Sequence, residues 1–266
     1  MDTLTLWQLA TLAAASTLVG FSKTAVSGAN TISLAVFAAV LPARESTGVL
    51  LPILIAGDVL AVLIYRRHAH WPTLLRLFPT VAAGVVAGSV FMLWADDAAV
   101  RTSIGAILLL MAGVTLWRRR GAERPAAVAE GEGDDREPVE EEAPGPPHAG
   151  RAKGRAYGAL GGFTTMVANA GGPVMSLYLL SAGFRKLGFL GTSAWFFLIV
   201  NTSKVPFSVG LGLIDARSLL LDAALVLFVV PGAYLGRVCV GRINQRLFDR
   251  IVIGATVLGG LQLLLR

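Results

Sequence analysis

Of 266 residues, 55% are hydrophobic and 15% charged, a balance too apolar for an ordinary soluble domain, so the chain reads as a polytopic membrane protein. The formal charge of +6 sits in short basic tracts between apolar runs, which cytoplasmic loops explain without nucleic acid. The single Cys239 excludes an intramolecular disulfide, and no His/Cys cluster has zinc spacing.

The N-terminal apolar run carries Asp2 and no basic leader, so it is expected to be mature structure rather than a signal peptide. Residues 4–41 predict an apolar hairpin broken at Gly20-Phe21-Ser22-Lys23-Thr24-Ala25-Val26-Ser27-Gly28-Ala29-Asn30. A lysine, hydroxyls and an amide in such a break are costly in hydrocarbon and belong around a site. Pro42-Ala43-Arg44-Glu45-Ser46 ends the hairpin. Spans are then predicted at Thr47–Tyr65, interrupted by Asp58, at Leu74–Trp94, and at Ser103–Trp117 with its flanks. The basic Arg66-Arg67-His68-Ala69-His70-Trp71 lies between the first two, and the acidic Asp96-Asp97 turn between the second and third. Gly121–Gly150 is rich in Glu, Asp, Pro, Gly and Ala and predicts a disordered linker. A second, shorter hairpin follows at Ala156–Ala182, broken at Asn169–Gly172 within Gly162-Phe163-Thr164-Thr165-Met166-Val167-Ala168-Asn169-Ala170-Gly171-Gly172-Pro173. Leu187–Leu211, Ser218–Val240 and Phe248–Leu265 complete the spans. Leucine, alanine and valine without ten-residue alternation favour helices over a barrel.

The halves repeat. Ser33 falls on Ser176, Gly48 on Gly191 and Asp58 on Asn201 at one constant shift. After a few inserted residues, Gly84 and Gly88 fall on Gly232 and Gly236, and Arg101 and Gly105 on Arg250 and Gly254. The fold expected is an all-α polytopic membrane protein of two inverted repeats, each a broken re-entrant hairpin plus three transmembrane helices. Residues 1–117 form the first repeat, 118–155 a cytoplasmic linker and 156–266 the second repeat. Loop charge puts Arg66-Arg67, Arg118–Arg120, Arg151, Lys153, Arg155, Arg185-Lys186 and Arg237 inside, with Arg44-Glu45, Asp96-Asp97 and Asp215 outside. A hairpin of two full spans at 4–41 gives the same external loops and stays open.

Lys23 at a hairpin tip needs an anion, a counter-ion or water. Its functional reading is an anion-binding ammonium, against snorkelling to an interface. Ser22, Thr24, Ser27 and Asn30 are candidate donors beside it, and the restarting helix aims its N-terminal amides at the same place. The second tip offers Thr164, Thr165, Asn169, Gly171 and Gly172, or is merely a tight turn. Asn201-Thr202-Ser203-Lys204 gathers too much polarity to face lipid, and Asn201 and Lys204 join the candidates. Asp58 is the obvious coupling group for a proton, against a structural ion pair with Lys204. His68 and His70 read as loop residues. No HExxH, GxSxG elbow or P-loop is present, so neither an enzyme nor an ATP-driven pump has support, and no cofactor or metal is expected.

Gly20-Phe21-Ser22-Lys23-Thr24, Pro42-Ala43-Arg44-Glu45-Ser46-Thr47-Gly48, Gly57-Asp58, Tyr65-Arg66-Arg67-His68, Gly191-Thr192-Ser193-Ala194-Trp195-Phe196-Phe197 and Lys204-Val205-Pro206-Phe207 together resemble the sulfite exporter TauE/SafE family. The likeness covers both halves and excludes the linker. It implies an inner-membrane permease, usually an exporter, for small sulfur-containing or organic anions such as sulfite, sulfoacetate or related sulfonates. Val26-Ser27-Gly28-Ala29-Asn30 departs from the more glycine- and proline-rich first tip of many relatives. The partners expected are a small anion and the bilayer, with a coupling proton or sodium and a homodimer left open. The alternatives are an uncoupled anion channel and a membrane assembly or scaffold protein that moves no anion.

Overall fold

The computed structural model describes residues 4–25, 30–122, 151–184 and 186–239, together with 257, 261 and 265. Regular structure among them is entirely helical: α1 Leu6–Thr24, α2 Asn30–Val40, α3 Ala43–Tyr65, α4 Trp71–Trp94, α5 Asp97–Ala122, α6 Arg151–Ala168, α7 Gly171–Ser181, α8 Lys186–Gly210 and α9 Ala216–Cys239. Among the described residues, four segments are long and apolar enough to cross a membrane: Ala43–His68, Trp71–Trp94, Asp97–Val114 and Ala216–Cys239. The chain is an all-α polytopic membrane protein. The expected span Phe248–Leu265, and Arg250 and Gly254 of the repeat, lie outside the described residues apart from 257, 261 and 265.

Local chemistry sets several helix ends. Thr5 caps α1 in a reciprocal box with Gln8. At the far end of α4, the Arg44 guanidinium donates to Met92 O at 2.7 Å and Ala95 O at 2.6 Å, carbonyls the helix itself leaves unpaired. Asp97 accepts from Arg44 N at 2.9 Å and pairs with Arg101 at 2.8 Å, joining α3, α4 and α5 at one end of the bundle.

Corresponding glycines govern how the helices pack. Gly20 of α1 rests on the Val229–Ala233 backbone of α9, and Gly162 of α6 rests on the Val81–Val85 backbone of α4. Reciprocally, Gly232 meets Thr17 and Phe21, and Gly84 meets Ala159 and Phe163. Side chains there would collide with main-chain atoms, so the small-xxx-small spacing serves close helix approach. Gly84→Leu is therefore expected to cost on the order of 3 kcal/mol through overpacking. Gly113→Ala, where a Cβ meets nothing and the backbone is helical, should raise stability by about 0.4–1 kcal/mol. Thermal unfolding of the two purified variants checks both.

These contacts also fix direction. Gly232 and Gly236 meet successive turns of α1, so α1 and α9 run the same way, as do α4 and α6 through Gly84 and Gly88. Gly191 of α8 packs on Tyr65 and His68 while Asn201 meets Asp58, so α3 and α8 run oppositely and cross at that pair. The α1/α2 hairpin opens toward the Arg44 end and the α6/α7 hairpin toward the His68 end. Two apolar clusters flank the crossing: Leu12, Val19, Phe37, Leu50 and Val229 on one side, and Leu74, Val81, Met166, Leu179 and Phe196 on the other.

Two boundaries differ from the sequence reading. Helix α5 continues to Ala122 and α6 starts at Arg151, so 117 and 156 both fall inside helices. The hairpin arms are unequal. Helices α2 and α7 have 11 residues each, about 16 Å, too short to span, whereas α1 has 19 and α6 has 18. Helix α2 lies back along α1, with Ser33 Oγ donating to Ala15 O at 2.9 Å.

Candidate functional site

The breaks of both hairpins meet the α3/α8 crossing, and there Lys23, Asp58 and Lys204 come together. Asp58, fully buried on α3, accepts from Lys23 Nζ of α1 at 2.6 Å and from Asn201 Nδ2 of α8 at 2.6 Å. Lys204, one turn beyond Asn201, is only 1% exposed. Its Nζ reaches Thr165 O at 2.7 Å, Asn169 Oδ1 at 2.6 Å and Asn201 Oδ1 at 3.3 Å, matching the three N–H bonds of an ammonium. Asn169 sits at φ 50°, a left-handed conformation Asn tolerates well, and its Nδ2 donates to Thr47 O at 2.9 Å. One polar chain, Lys23–Asp58–Asn201–Lys204–Asn169–Thr47, thus ties α1, α3 and α8 to the second break.

Lys23 is 10% exposed, with its ammonium turned inward onto Asp58. Its ammonium lies 4.4 Å from the centre of the Phe197 ring as well as against Asp58. The ion pair weighed as the alternative, Asp58 with Lys204, does not form: Asp58 pairs with Lys23, and Asn201 stands between Asp58 and Lys204. The reason is the opposed course of α3 and α8, which brings the equivalent residues 58 and 201 into direct contact and leaves Lys204 beside the second break.

A cavity of about 30 Å³ opens beside this chain, lined by Ser22, Lys23, Asn30, Leu54, Asp58, Ala61, Thr165, Asn169, Gly172, Leu190, Ser193, Ala194, Phe197 and Asn201. It has room for about two water molecules. A smaller crevice of about 10 Å³ runs between the breaks, touched by Asn30 and Thr31 from α2 and by Asn169, Gly172 and Pro173 at α7. Helices α2 and α7 both begin here, so their first-turn N–H groups and positive dipole ends converge on this region. Asn30 Oδ1 and Ser193 Oγ are buried without a hydrogen-bond partner. Ser22 Oγ accepts from Asn30 N at 2.9 Å, holding the ends of the first break together.

The candidates thus divide by position. Ser22, Lys23, Asn30, Asp58, Thr165, Asn169, Gly172 and Asn201 line the cavity, and Lys204 lies behind it. Thr24 instead donates to Ala233 O at 3.0 Å in the α1/α9 interface. Thr164 donates to Leu160 O at 2.8 Å within its own helix, and Gly171 packs on Thr165. Ser27 lies outside the described residues. Sequence reasoning passed over Ser193 and Phe197 as site residues. Both lie in Gly191-Thr192-Ser193-Ala194-Trp195-Phe196-Phe197, one turn apart on α8, and an i, i+4 reading back from Asn201 would have placed them on its face.

The chain matches the family described as Sulfite exporter TauE/SafE over residues 12–263. It belongs to the sulfite exporter TauE/SafE family. No curated protein and no solved structure matches it. Family membership makes the protein a multi-pass membrane anion transporter, and the family consists of transporters rather than enzymes.

Proposed function

We propose that this protein is a secondary transporter, working as an exporter, that carries sulfite, sulfoacetate or a related small anion across the inner membrane through a site between the hairpin breaks. The observation that carries this reading is the charge count at the crossing: two lysines, Lys23 and Lys204, face one carboxylate, Asp58, all three at most 10% exposed. An excess positive charge away from water favours one bound negative charge, and the starts of α2 and α7 add donors. Lys23 is the direct contact. Lys204 is occupied by protein acceptors and acts through its field while holding the second break.

The reciprocal glycine contacts and opposed hairpins support reading the halves as inverted repeats that rock about the α3/α8 crossing. An anion that takes contacts from Lys23 weakens its hold on Asp58; a singly charged anion neutralises the site by itself, and a proton arriving at Asp58 balances the second charge of a dianion such as sulfite. Anion and proton are coupled in this way.

Protein reconstituted in liposomes tests the reading. Sulfite flux is expected to depend on an imposed pH gradient, and Asp58→Asn should keep anion binding while losing that dependence. Unchanged pH dependence in a folded Asp58→Asn protein removes the coupling role. A thermal-shift series with small anions should show stabilisation approaching about 2.7 kcal/mol at a hundredfold excess over Kd. Absence of both flux and stabilisation would leave only the scaffold alternative.

A further inference from the structure

Asp222 takes no part in the chain at the crossing, yet it is the other buried carboxyl of the described helices. It is 2% exposed on α9, and neither oxygen has a hydrogen-bond partner. Ser218 lies one turn before it on the same face. That serine lines a cavity of about 120 Å³ at the Arg44 end of the bundle, together with Glu45, Asp215 and Arg217. In the other direction the same buried face continues through Leu225 to Val229, which packs where Gly57 and Lys23 meet. Asp222 therefore stands on a helix face that runs from a polar cavity to the edge of the Lys23–Asp58 pair.

The described elements packed most closely on α9 offer it no counter-charge. Helix α1 carries only Lys23, which is committed to Asp58. Helix α3 carries Arg44, which binds the end of α4, Glu45 at the cavity, and Asp58, with Tyr65 at its far end donating to Thr24 O. On α9 itself, Arg217 lines the cavity, Tyr234 is exposed, and Arg237 and Cys239 stand in the last turn. A carboxylate so placed bears its desolvation cost with nothing to offset it, and a bound proton removes the charge.

We propose that Asp222 is a proton-binding site, separate from the anion site, that exchanges its proton with the cavity lined by Ser218, Glu45 and Asp215. The step is simple protonation: hydronium in the cavity gives its proton to a carboxylate oxygen and leaves as water, and the reverse step releases it. The assignment does not depend on which anion is carried.

Infrared spectroscopy of the full-length protein in liposomes tests it, because a protonated carboxyl absorbs apart from a carboxylate. The expected result is an acid C=O band in wild type that persists in Asp58→Asn, disappears in Asp222→Asn and shifts in deuterated buffer. If Asp222→Asn folds poorly, Asp222→Glu is expected to move the band rather than abolish it. Identical acid bands in wild type and the Asp222 variants would overturn the site, and a band indifferent to deuterated buffer would overturn the exchange. Sulfite binding measured on the same samples reports on the anion site alone, so failure of one assignment is distinguishable from failure of the other.

Discussion

Lys23→Ala is expected to lower anion affinity about a hundredfold and to destabilise the protein by about 3–5 kcal/mol, two losses with different causes. The affinity falls because the remaining donors are neutral groups and helix ends, with Lys204 held by Thr165, Asn169 and Asn201. The stability falls because Asp58, fully buried, keeps only Asn201 as a partner once the 2.6 Å ion pair is gone. Adding Asp58→Asn removes the stranded charge, so the double variant should recover most of the stability and none of the affinity. Lys23→Arg should restore binding in part, since a forked guanidinium fits a two-water cavity beside Phe197 less well than an ammonium does. A double-mutant cycle in thermal unfolding and sulfite binding separates the terms. Wild-type affinity in a folded Lys23→Ala protein would remove Lys23 from the site.

Lys204→Met is expected to loosen the second break, at a cost of about 3 kcal/mol or more. It leaves three buried acceptors, Thr165 O, Asn169 Oδ1 and Asn201 Oδ1, without their donor, and each such loss costs roughly 1–3 kcal/mol before relaxation. Asn169 is the sensitive point, because its left-handed backbone is held between Lys204 and Thr47 O. Hydrogen exchange should quicken across residues 164–172 and stay unchanged in α5. Lys204→Gln, with two N–H bonds, should fall between. Protection at 164–172 equal to wild type would mean the break is held by packing alone.

Much of this architecture is written into local composition. Apolar length along 43–65, 71–94 and 216–239 dictates spanning helices, because an unpaired backbone is intolerable in hydrocarbon. Glycine, hydroxyl and amide residues at Gly20–Thr24 and Asn169–Gly172 mark where helices stop, and the matched glycines Gly84 and Gly232 announce a repeated packing surface. Pairing is a different matter. Nothing near Lys23 in sequence selects Asp58 over another acid, and nothing near Lys204 says that it turns to Asn169 rather than to Asp58. Those choices follow from α3 and α8 crossing in opposite directions, which sets Asn201 against Asp58 and leaves one lysine on each side. Thr24 shows the same limit, being adjacent to Lys23 in the chain yet turned by the helical step of about 100° into the α9 interface. Sequence by itself determined which segments are helices and where they break; only the tertiary structure decided which charges meet, because partners in a bundle are chosen by the direction and rotation of helices far apart in the chain.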